Sequence, residues 1–311
     1  MEEVLVSIDC LTYNHENYIA EAIEGFLMQK TTFKFEILIH DDASTDRTAE
    51  IIRSYEEKFP SIIKPIYQKE NQLSLGIDVD QINERRARGK YIALCEGDDY
   101  WIDSDKLQKQ VDYLEANPDC NLCVHAGYKF SERKKRVVGK VRPARRNRTF
   151  SVEETIEGGG GLFVTNSMMY RKWVGETVPA EYFSGGVGDY PLVIHLADSG
   201  RVYYLDETMS VYRIDVNDSW TTRMEANIAK AAIQNKETAE LLDLINAHTN
   251  FRYNKTIERT KKKNRFDILL RQRKLKETFN KEYLHLYLDM DLFIRSVNYG
   301  LSLFQKRFIK T

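Results

Sequence analysis

Three carboxylates follow a short apolar run in the stretch KYIALCEGDDYW, which covers residues 90–101. They belong to Glu96, Asp98 and Asp99. Carboxylates this close together repel one another and are costly to desolvate, so we expect a cation to join them. Ligands that offer only oxygen suit a hard divalent ion, Mn2+ or Mg2+, which keeps open positions for phosphate oxygens. The stretch therefore predicts a metal site, and a solvated acidic turn is the alternative.

Two other predicted strands also end in polar side chains. The first strand is followed by Tyr13 and Asn14, and the second is followed by Asp41 and Asp42. In open α/β sheets the ligand binds beyond the carboxyl ends of the strands. We therefore expect these residues to share one site with the three acids.

Alternating patterns predict the elements that would position these residues. Apolar runs predict strands at residues 4–11, 35–40, 62–67 and 91–95. Helical spacing predicts helices between them, the first capped by Asn17 and the second by Ser44 or Thr45. The order β-α-β-α-β-α-β implies an α/β fold, a Rossmann-like, mainly parallel sheet flanked by helices.

The chain lacks the usual glycine-rich phosphate loops. It contains no G-x-x-x-x-G-K-[ST] loop, and no G-x-G-x-x-G turn follows its first strand. If a nucleotide binds, a metal at the acidic cluster would therefore have to neutralise its phosphates.

Composition limits the function classes and the setting. The 311 residues carry a formal net charge of −1, so charge does not favour a nucleic-acid partner. Four cysteines form no disulfide framework, which favours a reduced, cytoplasmic setting. Met1 is followed by two glutamates and a strand pattern, so we expect no signal peptide. No apolar run in the sequence approaches the ~18 residues that a membrane-spanning helix needs.

Three blocks of the sequence resemble the family 2 glycosyltransferases of the GT-A fold, in that family's order and spacing. The blocks lie within residues 11–118 and read LTYNHENYIAEAI, FEILIHDDASTDRTAEII and GKYIALCEGDDYWIDSDKLQKQVDYLEANP. A fainter resemblance, to members that build bacterial polysaccharides, extends over residues 165–213 through TNSMMYRK, GGVGDYPLVIHLADSG and YLDETMSVYR.

The resemblance implies an inverting transferase that uses a nucleotide-diphosphate sugar and a divalent cation. By the family's habit the donor would be UDP-linked. Carried over position by position, Tyr13 would stack on the base and Asp42 would bond the edge of the base, with Asp41 as its neighbour. These residues form the expected base-binding part of the site.

The resemblance also assigns the acids at the end of the fourth strand. Asp98 would face the ribose or the metal, and Asp99 would ligate the metal that bridges the diphosphate. Glu96 stands where relatives often have aspartate, and either a metal or a ribose hydroxyl lies within its reach. Arg213 could stabilise the departing diphosphate. Many relatives carry a histidine two residues further on, where this chain has Asp215.

Inversion at an anomeric carbon is a direct displacement, so one carboxylate must take the proton of the acceptor hydroxyl. Asp189 in SGGVGDYPL is our candidate for this base, and it matches the family's base position. An aspartate before Tyr190 and Pro191 is also an ordinary helix N-cap, which is the alternative.

Two domains are expected. Residues 1–222 would form the GT-A domain, and residues 223–311 an α-helical C-terminal extension. Residues 133–148 carry nine Lys or Arg and no acid, and residues 252–281 carry twelve against three acids. An apolar-aromatic segment follows at residues 283–309. The extension could lie on an anionic membrane, pack as an accessory bundle or form a homodimer.

The sequence thus predicts a cytoplasmic glycosyltransferase. If the C-terminal extension binds an anionic membrane, the protein would be a peripheral protein of the inner face of the plasma membrane. Its partners would be a nucleotide-diphosphate sugar and a glycan or lipid-linked glycan acceptor of the bacterial surface. A sugar-nucleotide nucleotidyltransferase is one alternative, although it would need a glycine- and arginine-rich loop after the first strand. A non-catalytic nucleotide-binding scaffold is the other.

Overall fold

The structure is a computed structural model that describes residues 3–77, 79–183, 188–216 and 228–287. The chain divides into two compact units. The first comprises Met1–Ser184 and Gly188–Thr222, and the second comprises Gly185–Val187 and Arg223–Thr311.

The first unit is built on one sheet, to which the described residues contribute ten strands. They are β1 Val4–Thr12, β2 Lys34–Asp41, β3 Ile63–Tyr67, β4 Tyr91–Leu94, β5 Tyr100–Trp101, β6 Cys120–Ser131, β7 Arg136–Val141, β8 Arg148–Phe150, β9 Met169–Arg171 and β10 Arg201–Ile214. Their order is β3-β2-β1-β4-β9-β6-β10-β5, with β7 paired to β6 and β8 paired to β10.

Strands β1 to β4 form the parallel half of the sheet, as the sequence predicts. β1 lies between β2 and β4, and β2 pairs with β3, all in parallel. Successive side chains of β4 enter different hydrophobic clusters, Tyr91 and Ala93 one and Ile92 the other. Both faces of β4 are therefore buried, as its continuous apolar run indicates.

The other half is mixed, and the alternating pattern does not predict it. β9 runs antiparallel to both β4 and β6, and β6 pairs in parallel with the long β10. Reversing direction twice makes β6 and β10 run the same way as β1, β2, β3 and β4. The carboxyl ends of these six strands therefore meet at one edge of the sheet, which we call the carboxyl edge.

Seven helices of the first unit cover the sheet in the described residues. They are α1 Ile19–Leu27, α2 Thr48–Lys58, α3 Asp80–Arg86, α4 Lys106–Ala116, α5 Val152–Gly158, α6 Lys172–Gly175 and α7 Tyr190–Asp198. Short 3-10 turns are Leu73–Leu75, Gly159–Gly161, Thr165–Ser167 and Ala180–Phe183.

The predicted helix caps are wrong, because their side chains bind elsewhere or make no cap. Helix α1 starts after Tyr18 rather than after Asn17, and no side chain caps it. Helix α2 starts only at Thr48, whose backbone N–H is accepted by Asp46. The Ser44 hydroxyl instead accepts the backbone N–H of Asn14 at 2.9 Å.

The second unit is helical in its described residues. Its helices are α8 Ile228–His248, α9 Asn254–Arg271, α10 Leu275–Thr278 and α11 Leu284–Tyr287. Phe266, Leu269, Leu270, Tyr283 and Leu286 form a small hydrophobic cluster of their own. Most of the apolar-aromatic segment, residues 288–311, lies outside the described residues. None of the described helices has the length and apolar character needed to cross a bilayer.

Candidate active site

The loops after β1 and β2 are tied together at the carboxyl edge by Asn14. Asn14 has a left-handed backbone with φ of 55°, which asparagine tolerates better than most residues. Its Oδ1 accepts the backbone N–H of Thr45 at 2.8 Å. The neighbouring Tyr13 ring is 40% exposed. A flat exposed ring on a fixed loop offers a stacking surface for a base.

Asp41 is the last residue of β2 and Asp42 follows it, and both are buried. The two carboxylate oxygens of Asp42 accept the backbone N–H groups of Gln72 at 2.7 Å and Leu73 at 3.1 Å. Asp41 Oδ1 accepts the backbone N–H of Ser44 at 3.3 Å, and burial raises the pKa of Asp41. Asp42 thus anchors the loop around residues 71–75, and this loop adjoins the predicted base-binding residues.

The loop after β4 approaches β1 closely because residue 97 is a glycine. A Cβ on Gly97 would lie 2.7 Å from Thr12 Oγ1, closer than atoms in van der Waals contact. This approach places Asp98 beside the loop after β1, where Asp98 Oδ2 lies 4.0 Å from His15 Nε2. Glu96 is exposed at the rim.

Asp99 is almost completely buried, with 1% of its surface exposed. Its Oδ1 accepts the backbone N–H of Arg213 at 2.7 Å, and its Oδ2 accepts the side-chain amide of Asn166 at 2.9 Å. Burial is the main reason that the pKa of Asp99 is raised well above its usual value, and Asp98 and Glu96 raise it further. Both oxygens of Asp99 therefore already accept hydrogen bonds from the protein, whereas Asp98, also largely buried, keeps 8% of its surface exposed.

Arg213 holds the loop after β4 in place rather than pointing out for a ligand. We call this loop, which carries Glu96, Asp98 and Asp99, the acidic loop. Its Nη1 donates to the backbone carbonyl of Asp98 at 2.5 Å and its Nε donates to Glu132 at 2.9 Å. Its Nη2 donates to Glu21, and the guanidinium lies 4.4 Å from the centre of the Tyr100 ring. With only 6% of its surface exposed, Arg213 is a structural clamp beneath the site.

Asp189 precedes α7 but does not cap it through its side chain. Its Oδ2 instead accepts the hydroxyl of Thr165 at 2.8 Å. Burial raises the pKa of Asp189 to about 6, although the hydrogen bond from Thr165 acts in the opposite direction. The half-buried carboxylate therefore has the basicity of a group that accepts a proton near neutral pH.

Noncovalent contacts, together with the peptide links Asn14–His15 and Thr165–Asn166, connect several of the predicted residues across the carboxyl edge. Listed from the β2 side, its members are Asp41, Ser44, Asn14, His15, Asp98, Arg213, Asp99, Asn166, Thr165 and Asp189. Sequence reasoning passed over His15 and Glu132. The position of His15 in a strand-exit loop could have indicated it, whereas Glu132 is recognisable only from its contact with Arg213.

The donor set suits a hard metal ion only in part. No group of three or more His, Cys, Asp or Glu side chains in the described ranges is arranged to hold a metal. The exposed Glu96 and the largely buried Asp98, 8% exposed, nevertheless carry carboxylate oxygens in this loop, and after burial their charges are the next causes of the raised pKa of Asp99. Two carboxylates completed by phosphate and water oxygens match the usual coordination of Mg2+.

Solved glycosyltransferase structures share this fold. S. aureus TarS bound to UDP-GlcNAc superposes with a TM-score of 0.54 at 16% identity, covering 86% of this chain and 81% of that one. The mannosyltransferase PcManGT of Pyrobaculum calidifontis, in complex with GDP-Man and Mn2+, gives 0.53 at 15% identity, covering 95% and 86%. The predicted GT-A fold with C-terminal helices is confirmed.

The chain belongs to glycosyl transferase family 2, whose model matches residues 7–177. An uncharacterized protein of Mycobacterium tuberculosis is 37% identical over an alignment of 224 residues, and the match covers 69% of this chain and 60% of that protein. The putative teichuronic acid biosynthesis glycosyltransferase TuaG of Bacillus subtilis is 36% identical over 110 residues, covering 35% and 42%. The chain thus spans about 60% of the length of the first of these relatives. The predicted family is confirmed.

Proposed function

We propose that this chain is a metal-dependent, inverting glycosyltransferase. It transfers a sugar from a nucleotide-diphosphate donor, UDP-linked, to a hydroxyl of a bacterial surface glycan. The observation that carries the proposal is Asp189, a carboxylate with raised pKa whose side chain makes no helix cap. Its hydrogen bond from Thr165, the Thr165–Asn166 peptide bond and the hydrogen bond from Asn166 join it to Asp99. Residues 1–222 would be the catalytic domain and residues 223–311 an accessory helical extension.

The comparisons support the classes of donor, metal and acceptor. TarS structures contain UDP or UDP-GlcNAc, and the PcManGT structure contains GDP-Man and Mn2+. TuaG is named for teichuronic acid biosynthesis. These observations favour a sugar-nucleotide donor and a polysaccharide acceptor for this chain.

Donor binding would use the β1 and β2 side of the edge. The exposed Tyr13 ring would stack on the base, and the loop of residues 71–75, held by Asp42, would border it. Asp98, with Glu96 beside it, would hold Mn2+ or Mg2+, which when bound supplies positive charge to the diphosphate leaving group. Arg213 would keep the Asp98 backbone in place.

Acceptor activation would fall to Asp189. Its Oδ2 is held by Thr165, so the other carboxylate oxygen would take the proton of the acceptor hydroxyl as that oxygen attacks the anomeric carbon. The nucleoside diphosphate leaves from the opposite side, which inverts the configuration. A fixed carboxylate serves this step because a base must lie within hydrogen-bond distance of the proton it removes.

Nucleotide binding is the direct test. We expect UDP with Mn2+ to raise the melting temperature of the full chain, since a ligand at 100 times its Kd stabilises the native state by about 2.7 kcal/mol. A panel of nucleotide sugars then identifies the donor by the nucleoside diphosphate that it releases. Binding without any turnover on the panel and on glycan acceptors would favour the scaffold alternative. No shift with any nucleoside diphosphate would contradict the proposal.

The pH profile should report Asp189. Because the base must be ionised, we expect kcat/KM to fall about tenfold per pH unit below the pKa of about 6. Thr165→Val removes a hydrogen bond that favours the carboxylate, so the acidic limb should move up by about one pH unit. Thr165→Ser keeps the hydroxyl and should leave the limb in place. Overlaying profiles for Thr165→Val and wild type would exclude Asp189 as the titrating base.

A further inference from the structure

The carboxyl edge carries exposed apolar side chains beside the candidate site. Leu73, Leu75 and Ile77, in the loop after β3, are 57%, 60% and 43% exposed. The loop is nevertheless held in place, because the backbone N–H groups of residues 72 and 73 donate to Asp42. Apolar side chains held out into water at a fixed position gain free energy when another apolar phase covers them.

The same edge carries a basic hairpin, formed by β6, β7 and the turn between them. Within the part of the chain that the structure describes, Lys134 and Arg136 form no ion pair with a carboxylate, whereas Lys135 pairs with Glu132. Both unpaired cations are exposed. Val137, next in β7, is also 49% exposed. The hairpin therefore combines free positive charge with apolar surface.

The hairpin is joined to the candidate site. Its turn begins at Glu132, which accepts Arg213 Nε, and Arg213 in turn donates to the Asp98 carbonyl. The apolar loop is joined to the site from the other side, through Asp42. Because β2 and β6 run in the same direction, both features lie at the carboxyl edge and flank the same rim.

We propose that the carboxyl edge docks on an anionic membrane surface, with Leu73 and Leu75 entering the lipid interface and the hairpin cations meeting the headgroups. Cations alone would suit any polyanion, but the exposed Val137 next to them and the exposed leucines on the other side of the same rim favour lipid. The inference goes beyond the transfer reaction, since it places the site against the bilayer. The acceptor would then be a glycan held at that surface by a lipid.

The opposite edge of the sheet supplies matched controls. Lys30 precedes β2, and Lys58 ends α2, so both exposed lysines lie near the amino ends of the strands. Trp173 follows β9, which runs towards the start of β4, and it is 60% exposed. Changes at these residues alter charge and apolar surface as the test variants do, at the other edge.

The experiment is co-sedimentation of the full chain with vesicles of phosphatidylcholine alone or mixed with phosphatidylglycerol. We expect wild type to bind the anionic vesicles, and Lys134→Glu/Arg136→Glu to lower that partition coefficient at least about tenfold. Leu73→Ser/Leu75→Ser should lower it about tenfold as well, while keeping both backbone donors to Asp42. Lys30→Glu/Lys58→Glu and Trp173→Ser should stay within about twofold of wild type, because their edge does not touch the lipid.

The outcomes separate this inference from the proposed function. Lys134→Glu/Arg136→Glu and the control variants should retain the UDP-dependent thermal shift, so a lost shift in them would indicate damage to the donor site rather than to membrane binding. Leu73→Ser/Leu75→Ser changes the loop that borders the proposed base site, so this variant is judged by its vesicle partition alone. If both edge variants bind anionic vesicles as wild type does, the edge is not the docking surface. If wild type ignores the vesicles but binds a soluble anionic glycan through Lys134 and Arg136, the surface serves a polyanion and the membrane proposal is wrong.

Discussion

Asp189→Asn is expected to lower kcat by about 10²- to 10⁴-fold, the range for losing a general base. Asparagine has nearly the same shape and can still accept the Thr165 hydroxyl, but it cannot take a proton at neutral pH. Donor binding should survive, because Asp189 lies at the other end of the contact path from Tyr13 and Asp42. The measurement is steady-state kinetics with the donor that the nucleotide panel identifies.

Glu153→Gln is the matched control for this prediction. Glu153 is an exposed carboxylate in α5, which packs near α7 through the Tyr190 hydroxyl bonded to the Ile156 carbonyl. Glu153→Gln removes one negative charge, as Asp189→Asn does, and should leave kcat unchanged. An Asp189→Asn enzyme that keeps kcat within about threefold of wild type would exclude the general-base role.

Asp98→Asn and Asp99→Asn are expected to fail in different ways. We expect Asp98→Asn to weaken Mn2+-dependent nucleotide binding at least about tenfold, the lower range for disturbing a metal site, with little change in stability. Asp99→Asn should instead lower the free energy of unfolding by about 1–3 kcal/mol. Asparagine has one acceptor oxygen, so its amide would face either the Arg213 N–H or the Asn166 amide without a hydrogen bond.

Calorimetry of Mn2+ and UDP binding, beside chemical denaturation of both variants, separates these results. The sequence-based assignment gave the bridging metal to Asp99. That assignment would be supported, and ours contradicted, if Asp99→Asn abolished Mn2+-dependent binding without loss of stability. Each variant serves as the other's control, since the two carboxylates are adjacent and lose the same charge.

The parallel half of the fold was predictable because its signals are local. β1, β2 and β4 are largely apolar runs that polar residues follow at once, and β3 is a short strand in which Lys64 and Pro65 lie between two isoleucines. The long pairing of β6 with β10 joins Cys120–Ser131 to Arg201–Ile214, and no pattern within either segment indicates its partner. The register of such distant strands is set by packing, which a single sequence does not display.

The predicted helix caps are wrong for a related reason. Ser44 and Asn17 have good capping side chains, but a cap depends on which nearby donor the side chain meets. The Ser44 hydroxyl accepts the backbone N–H of Asn14, and Asn14 Oδ1 accepts the backbone N–H of Thr45, so both residues bond to the loop after β1 instead of capping α2. The sequence also does not indicate which of Asp98 and Asp99 is bonded to the protein, since two adjacent aspartates are chemically alike and differ only in the residues that surround them.

A single peptide bond has a large consequence for this molecule. Thr165, which binds Asp189, and Asn166, which binds Asp99, are consecutive residues of one short 3-10 turn. The peptide bond therefore limits the distance between the two carboxylates, because a shift of either one would move the residue that binds the other. A larger or smaller transferred sugar would then have to be accommodated by other side chains that line the site. Donor and acceptor preferences would evolve through those side chains, while the spacing between Asp99 and Asp189 stays constant.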